Sequence, residues 1–177
     1  MKKAYLSAVV IVALILFGGV ISSPAADDIG LHKNCIHCGM DRGMFNFSRM
    51  LIEYDDGTVA PVCSLHCASI NLAISIDKTP KAIKVADFKE KELIDAENSF
   101  WVIGGAKPGV MSKQGKWAFG KKEDAEAFMK TNQGKLVSFE EAMKASYDDM
   151  YVDTNMIREK RKMKRAQMGD AKMHGSH

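Results

Sequence analysis

The strongest structural signal in this chain comes from two short motifs, Cys35-Ile36-His37-Cys38-Gly39-Met40 and Cys63-Ser64-Leu65-His66-Cys67. They contain all four cysteines of its 177 residues. A C-x2-C pair on a tight turn and a second close pair at the start of a helix can close on one soft metal ion. Glycine after the first pair permits the tight turn. We therefore expect the four cysteines to form one treble-clef-like metal site.

The residues around these motifs predict a hairpin and a helix. Residues 47–54 alternate well enough for a strand, and residues 58–62 read as the returning strand. Asp55-Asp56-Gly57 between them is a strong hairpin turn. Residues 64–76 then predict a helix, with Ser64 as its N-cap. The first half is thus a cysteine turn, two strands and a helix.

The second half repeats this order without cysteines. It predicts strands at 83–88, 99–103, 116–119 and 135–137, a glycine loop at 104–109 and a helix at 122–131. Ser138 and Glu141 form a capping box that opens a last helix. The expected fold class is α+β, made of two related β-β-α units at about residues 34–80 and 81–152.

The N-terminal residues 1–25 predict a signal peptide or an uncleaved anchor. Lys2 and Lys3 precede an apolar run over residues 4–21, and Ser23-Pro24-Ala25 supplies small residues for cleavage. The expected location is therefore periplasmic or otherwise extracytoplasmic, with membrane contact only through this segment if it is retained. Residues 27–33, which follow it, are polar, and we expect them to be loosely ordered.

The C-terminal residues 153–177 form a Met/Lys-rich tail that we expect to be a helix fraying into disorder. It is either a solvated basic helix or a segment that recruits copper(I) or contacts an acidic partner. The whole chain has a formal net charge of +3. Outside the tail nothing suggests a nucleic-acid surface, so we expect no nucleic-acid partner.

Catalysis has little support in the sequence. The chain shows no H-E-x-x-H motif, and the glycine loop at 104–109 lacks the G-x-G-x-x-G spacing of a dinucleotide site. We expect a protein that is not an enzyme.

Methionine thioethers near the cysteines favour copper(I), because thioethers bind copper(I) and are poor zinc ligands. Met40 lies two residues after Cys38, and Met111 follows the glycine loop, so both are candidate ligands. Met129 and Met143 have helical spacing and read as core residues. His37 and His66 lie between chelating cysteines, so we expect them to face solvent or tune the site rather than bind.

Several motifs together resemble the NosL family, the accessory proteins of nitrous oxide reductase maturation, and the treble-clef modules called TRASH domains. The motifs are Cys35-Ile36-His37-Cys38-Gly39-Met40, Tyr54-Asp55-Asp56-Gly57, the glycine loop before Met111, and Lys122-Glu123-Asp124-Ala125-Glu126-Ala127-Phe128 with Gly134-Lys135. The resemblance spans about residues 34–150. It implies an exported copper(I) metallochaperone that serves a client copper enzyme or another copper-handling protein. The copper ligands that it implies are Cys35 or Cys38, Met40 and Met111.

Other uses of the cysteines stay open. The set Cys35, Cys38, Cys63 and Cys67 also fits a closed zinc site that would staple a non-catalytic interaction module. An oxidising compartment also permits a thiol–disulfide protein that uses Cys35 and Cys38, or two structural disulfides. Because methionines lie near the cysteines, we expect the metal to be copper(I), with zinc as the alternative.

Overall fold

The computed structural model describes residues 25–174, with side chains for residues 28–168. Two antiparallel sheets and the helices around them confirm the predicted α+β class. In chain order the elements are α1 (Ala25–Leu31), β1 (Met50–Tyr54), β2 (Val59–Val62), α2 (Leu65–Ile74), β3 (Pro80–Ala86), β4 (Leu93–Asp95), β5 (Phe100–Ile103), β6 (Lys116–Phe119), α3 (Lys122–Asn132), β7 (Lys135–Val137) and α4 (Phe139–His174).

The first sheet has the strand order β2-β1-β3-β4. The predicted hairpin joins β1 to β2, and Gly57 at its turn has φ +80°, which glycine adopts without strain. Pro61 lies on β2, an edge strand, where a missing backbone donor is tolerated. Met50 at the start of β1 pairs with Val62 on one side and Val85 on the other.

The second sheet has the order β6-β5-β7. Both expected β-β-α units are present, as β1-β2-α2 and as β5-β6-α3. However, β3, which we expected at the start of the second unit, pairs with β1 in the first sheet. β4, which lies in the segment we expected to be a polar connection, pairs with β3. Periodicity identifies such strands but does not choose their partners, so the unit boundary near residue 80 stays a prediction.

Aromatic packing joins the two sheets. The backbone N–H of Phe88, just after β3, donates to the carbonyl of Ala118 on β6 at 2.8 Å. The Phe88 ring contacts Trp117, Phe119 and Phe128, with ring centroids 5.0–5.7 Å apart. Contacts of this kind add about 0.5–1.5 kcal/mol each beyond burial. They hold the second unit against the unit that carries the cysteines.

A buried charge cluster fixes the N-terminal helix beside the cysteine turn. Asp28 on α1 accepts hydrogen bonds from Arg42 Nη2 at 3.0 Å and from Arg49 Nε at 2.7 Å. Arg42 also donates through Nε to the carbonyl of Val62, one residue before Cys63. The expectation that residues 27–33 are loose is therefore wrong, because a buried carboxylate pairs with two guanidinium groups there.

The last helix, α4, runs without a break from Phe139 to His174 and includes most of the expected tail. Asp153 is 1 % exposed, and Thr154, Met156 and Ile157 are partly buried. From Arg158 to Met168 the side chains are exposed. The first turn of the expected tail thus packs on the body of the protein.

Within residues 25–174, no helix combines the length and apolar character needed to cross a membrane. The predicted signal peptide or anchor over residues 1–25 lies almost entirely outside the described residues.

Candidate metal centre

The first cysteine pair lies on a tight turn, as its spacing predicts. The backbone N–H of Cys35 donates to the Met40 carbonyl, and the N–H of Gly39 donates to the Cys35 carbonyl, both at 2.9 Å. Gly39 has φ +75°, a left-handed conformation that glycine adopts more readily than a residue with a β-carbon. Ile36 N–H donates to the Pro61 carbonyl on β2, which ties this turn to the strand leading into the second pair.

The second pair spans the start of α2. Cys63 directly follows β2, and Cys67 lies in the first turn of the helix, four residues on and therefore on the same side. Ser64 occupies the predicted N-cap position with extended backbone, but its side chain makes no capping hydrogen bond.

These two elements bring the four sulfurs together. All four Sγ atoms lie within 4.8 Å of one another. The Sγ atoms of Cys38 and Cys63 are 3.4 Å apart, and those of Cys63 and Cys67 are 3.7 Å apart. Four thiolates around a zinc ion at about 2.3 Å would be separated by about 3.8 Å. The arrangement therefore fits a four-coordinate thiolate site, and the four thiols form no disulfide.

Burial divides the cluster into an inner and an outer part. Cys35, Cys63 and Cys67 are at most 2 % exposed, whereas Cys38 is partly exposed. Hydrogen bonds from Cys38 and the other two cysteine thiols lower the pKa of Cys35 well below its usual range. The same interaction raises the pKa of Cys63 and Cys67, because each donates its proton toward Cys35. The pKa of Cys38 is lowered as well: its hydrogen bond with Cys35 raises it, but the hydrogen bonds with Cys63 and Cys67 outweigh that effect. Without metal, negative charge is therefore favoured at the first cysteine pair.

The two candidate methionines lie beside the cluster. Met111 lines a cavity of about 200 Å³ together with Cys38 and Cys67. Met111 also lines an adjoining cavity of about 240 Å³, and Met40 contributes to that second cavity. The structure therefore brings Met111, from the second unit, to a cavity that two of the cysteines line, and brings Met40 to the cavity beside it.

Loop geometry holds Met111 in place. Its φ is +59°, a left-handed conformation that is uncommon for a residue with a side chain. Gly109, two residues earlier, has no room for a β-carbon, which would lie 2.4 Å from Ser112 Oγ. Gly109 thus permits close packing of the chain next to Met111.

The histidine inside the second pair is buried rather than exposed to solvent. His66 is 3 % exposed, and its Nδ1 lies 3.6 Å from Asp153 Oδ2 on α4. Burial lowers the pKa of His66, so desolvation outweighs the attraction of the carboxylate. His66 therefore does not face solvent, which was one of the two alternatives expected for it, and a role in tuning the site stays a prediction. In His37, the Nε2 atom is buried and has no hydrogen-bond partner among the described residues.

Sequence reasoning missed the part of α4 that covers the site. Thr154, Ile157, Arg158 and Arg161 line the cavity next to Cys38 and Cys67. Arg161 Nη2 donates to the Cys38 carbonyl at 3.4 Å. The spacing of Asp153, Met156 and Ile157 as i, i+3 and i+4 was the available signal of a packed face.

Comparison with models of protein families assigns the chain to one of them. A family model described as NosL matches residues 26–147, more than half of the chain. The chain belongs to the NosL family. The resemblance seen in the sequence is therefore confirmed.

A solved NosL structure has the same fold. The chain is similar to the copper chaperone NosL from Shewanella denitrificans, with a TM-score of 0.51 and 24 % identity. The likeness covers 62 % of this chain and 89 % of that one. A search of curated proteins finds no significant match. The NosL match ends at residue 147, so most of α4 lies beyond it.

Proposed function

We propose that this NosL-family chain is an exported carrier of copper(I) that delivers the ion to a client copper enzyme or another copper-handling protein. The observation that carries the proposal is the convergence of four cysteine sulfurs within 4.8 Å, with Met40 and Met111 beside them. Thiolate and thioether sulfur are the ligands that copper(I) prefers. The proposed ligand set is Cys35, Cys38, Met40, Cys63, Cys67 and Met111.

The arrangement suits a carrier because its ligands differ in strength and exposure. Cys38 is the partly exposed cysteine, and the cavities beside it reach the thioethers. A neutral thioether holds copper(I) less tightly than a thiolate does, so ions can leave by stepwise exchange of ligands. We infer that cargo enters and leaves past Cys38 and the methionines.

Family membership and the basic and apolar N-terminal residues support the rest of the proposal. The similar solved protein is a copper chaperone, which favours a carrier rather than an enzyme for this chain. Lys2, Lys3 and the apolar run over residues 4–21 support export to the periplasm, with or without retention as an anchor. For the client enzyme that receives the copper, we propose nitrous oxide reductase.

A zinc-stapled interaction module is the second candidate. Three of the four cysteines are almost fully buried, and the sulfur separations suit a closed tetrahedral zinc site. Structural zinc sites contribute directly to folding, so such a domain loses its fold when the metal is removed.

Metal titration separates the two candidates. Metal-free protein is prepared anaerobically with reductant, its fold is followed by circular dichroism, and copper(I) and zinc are added against competing chelators. The carrier predicts a fold that survives metal removal and tight copper(I) binding. Unfolding on zinc removal, with no copper(I) retained against the chelator, would instead establish the zinc module. Counting free thiols in the metal-free protein tests the thiol–disulfide alternative.

A further inference from the structure

The segment of α4 after residue 147 is held against the site at several points. The Lys113 backbone N–H donates to Asp153 Oδ1 at 2.8 Å, and His66 Nδ1 faces Asp153 Oδ2. Lys116 Nζ, which is nearly buried, pairs with Asp149 at 2.8 Å. These contacts reach the second cysteine pair and the loop that carries Met111. The position of this segment over the sulfur cluster is therefore specified by its own side chains.

The larger of the two adjoining cavities lies under this segment and contains three methionines. Met40 comes from the cysteine turn, Met111 from the glycine loop and Met156 from α4. The other residues lining the cavity are Gly109, Ser112, Ile157, Lys160 and Arg161. Its volume of about 240 Å³ leaves room for an ion, and its lining includes no carboxylate.

The chemistry of this lining selects one class of ion. Neutral thioethers bind copper(I) and silver(I), and they compete poorly for zinc or calcium. Lys160 and Arg161 at the same cavity disfavour cations in general and divalent cations most. Such a site holds a monovalent soft ion weakly, which suits passage rather than storage.

We propose that Met156 supplies a third thioether, with Met40 and Met111, to a copper(I) position beside the four-cysteine cluster. The inference rests on the proposed copper(I) function and adds a ligand from beyond the NosL match. Met111, Ile157 and Arg161 line both cavities, so this position adjoins the one next to Cys38 and Cys67. Copper(I) would therefore move between thioether and thiolate ligands beneath α4.

The test uses the full chain with carbon-13 labelled methionine methyl groups and silver(I) as the probe. Silver(I) is a diamagnetic substitute for copper(I), and it is added after one equivalent of copper(I). The proposal predicts that the methyl signals of Met40, Met111 and Met156 shift together, while the exposed Met163 on the same helix does not. A shift of Met40 and Met111 without Met156 would overturn it.

A matched pair of variants measures the contribution of Met156 to affinity. Met156→Leu should weaken binding of the second soft ion by about tenfold or more. Mutation of residues that only contact a metal's ligands already lowers metal affinity by about this factor, and loss of a ligand should lower it at least as much. Met163→Leu, whose side chain is 56 % exposed, should leave it unchanged. Equal affinities in the two variants, with unchanged thermal unfolding, would contradict the role of Met156.

The outcomes also separate this inference from the proposed function. If the chain binds one equivalent of copper(I), and neither Met156→Leu nor added silver(I) changes this binding, the carrier function is supported and the thioether position is contradicted. Absence of any copper(I) binding in the unaltered chain overturns both.

Discussion

The Sγ atoms of Cys38 and Cys63 lie 3.4 Å apart, although 25 positions separate the two residues in the sequence. The turn that carries Cys38 and the helix start that carries Cys63 thus meet at sulfur. Neither pair alone supplies four ligands, and their meeting explains why two short motifs so far apart belong to one site.

The double variant Cys63→Ser/Cys67→Ser tests whether the second pair holds the cargo or only the fold. Under the carrier account it should lose copper(I) at one equivalent, because two of the four sulfurs are gone. Both side chains are almost fully buried, so the melting temperature should fall as well. Elemental analysis and thermal unfolding measure the two effects, with Met44→Leu, at a 73 % exposed position, as the control. Copper retained in full, with only stability lost, would make the second pair structural.

Copper(I) affinity should increase with pH. The raised pKa of Cys63 and Cys67 keeps both thiols protonated near neutral pH, and metal binding must release those protons. If binding releases two protons, the apparent copper(I) affinity should rise by about 100-fold for each unit by which the pH is raised. Chelator competition at several pH values, corrected for the titration of the chelator, measures the slope. An affinity independent of pH would show that the bound ion displaces no thiol proton.

Gly109→Ala should reduce copper(I) affinity through the position of Met111. The added β-carbon would lie within 2.6 Å of Ser112 and Gln114 atoms, so the loop must move. Gly30→Ala is the matched control, because a β-carbon there has no atom within 4 Å. Competition titration of both variants checks this result. An affinity loss in Gly30→Ala equal to that in Gly109→Ala would contradict a role for the loop.

Asp28→Asn should destabilise the fold by about 3–5 kcal/mol, because it removes the carboxylate that pairs with the fully buried guanidinium group of Arg42. Asp28 pairs with Arg42 and Arg49, whose side chains are at most 1 % exposed. The control Asp148→Asn removes only an exposed ion pair with Lys144 and should change stability by less than about 1 kcal/mol. Denaturant unfolding of metal-free protein gives both values. Similar losses in the two variants would mean that the buried cluster does not clamp α1.

Local patterns predicted much of this fold. The Asp55-Asp56-Gly57 turn depends only on neighbouring residues: Gly57 adopts a positive φ and Thr58 N–H donates to Asp56 Oδ1. The helix at 122–131 and the strand at 116–119 likewise have clear periodicity and lie where we expected them, the helix extending one residue further. The cysteine spacing predicted the shared site because a C-x2-C turn and a second close pair at a helix start are the two halves of a treble-clef-like metal site.

Features that depend on distant partners could not be predicted in this way. β3 pairs with β1, although a strand pattern alone does not name its neighbour. Asp28 looks like a surface residue in a polar segment, and its burial depends on two arginines elsewhere. Met156 and Asp153 lie among many charged residues, whose composition concealed the one face of α4 that packs on the site.

X-ray absorption at the copper edge, on the full chain loaded with one equivalent of copper(I), shows which atoms bind the ion. We expect sulfur alone around the ion and loss of the copper signal in the Cys63→Ser/Cys67→Ser variant. Nitrogen or oxygen ligands in place of sulfur, or copper unchanged by that variant, would contradict this expectation.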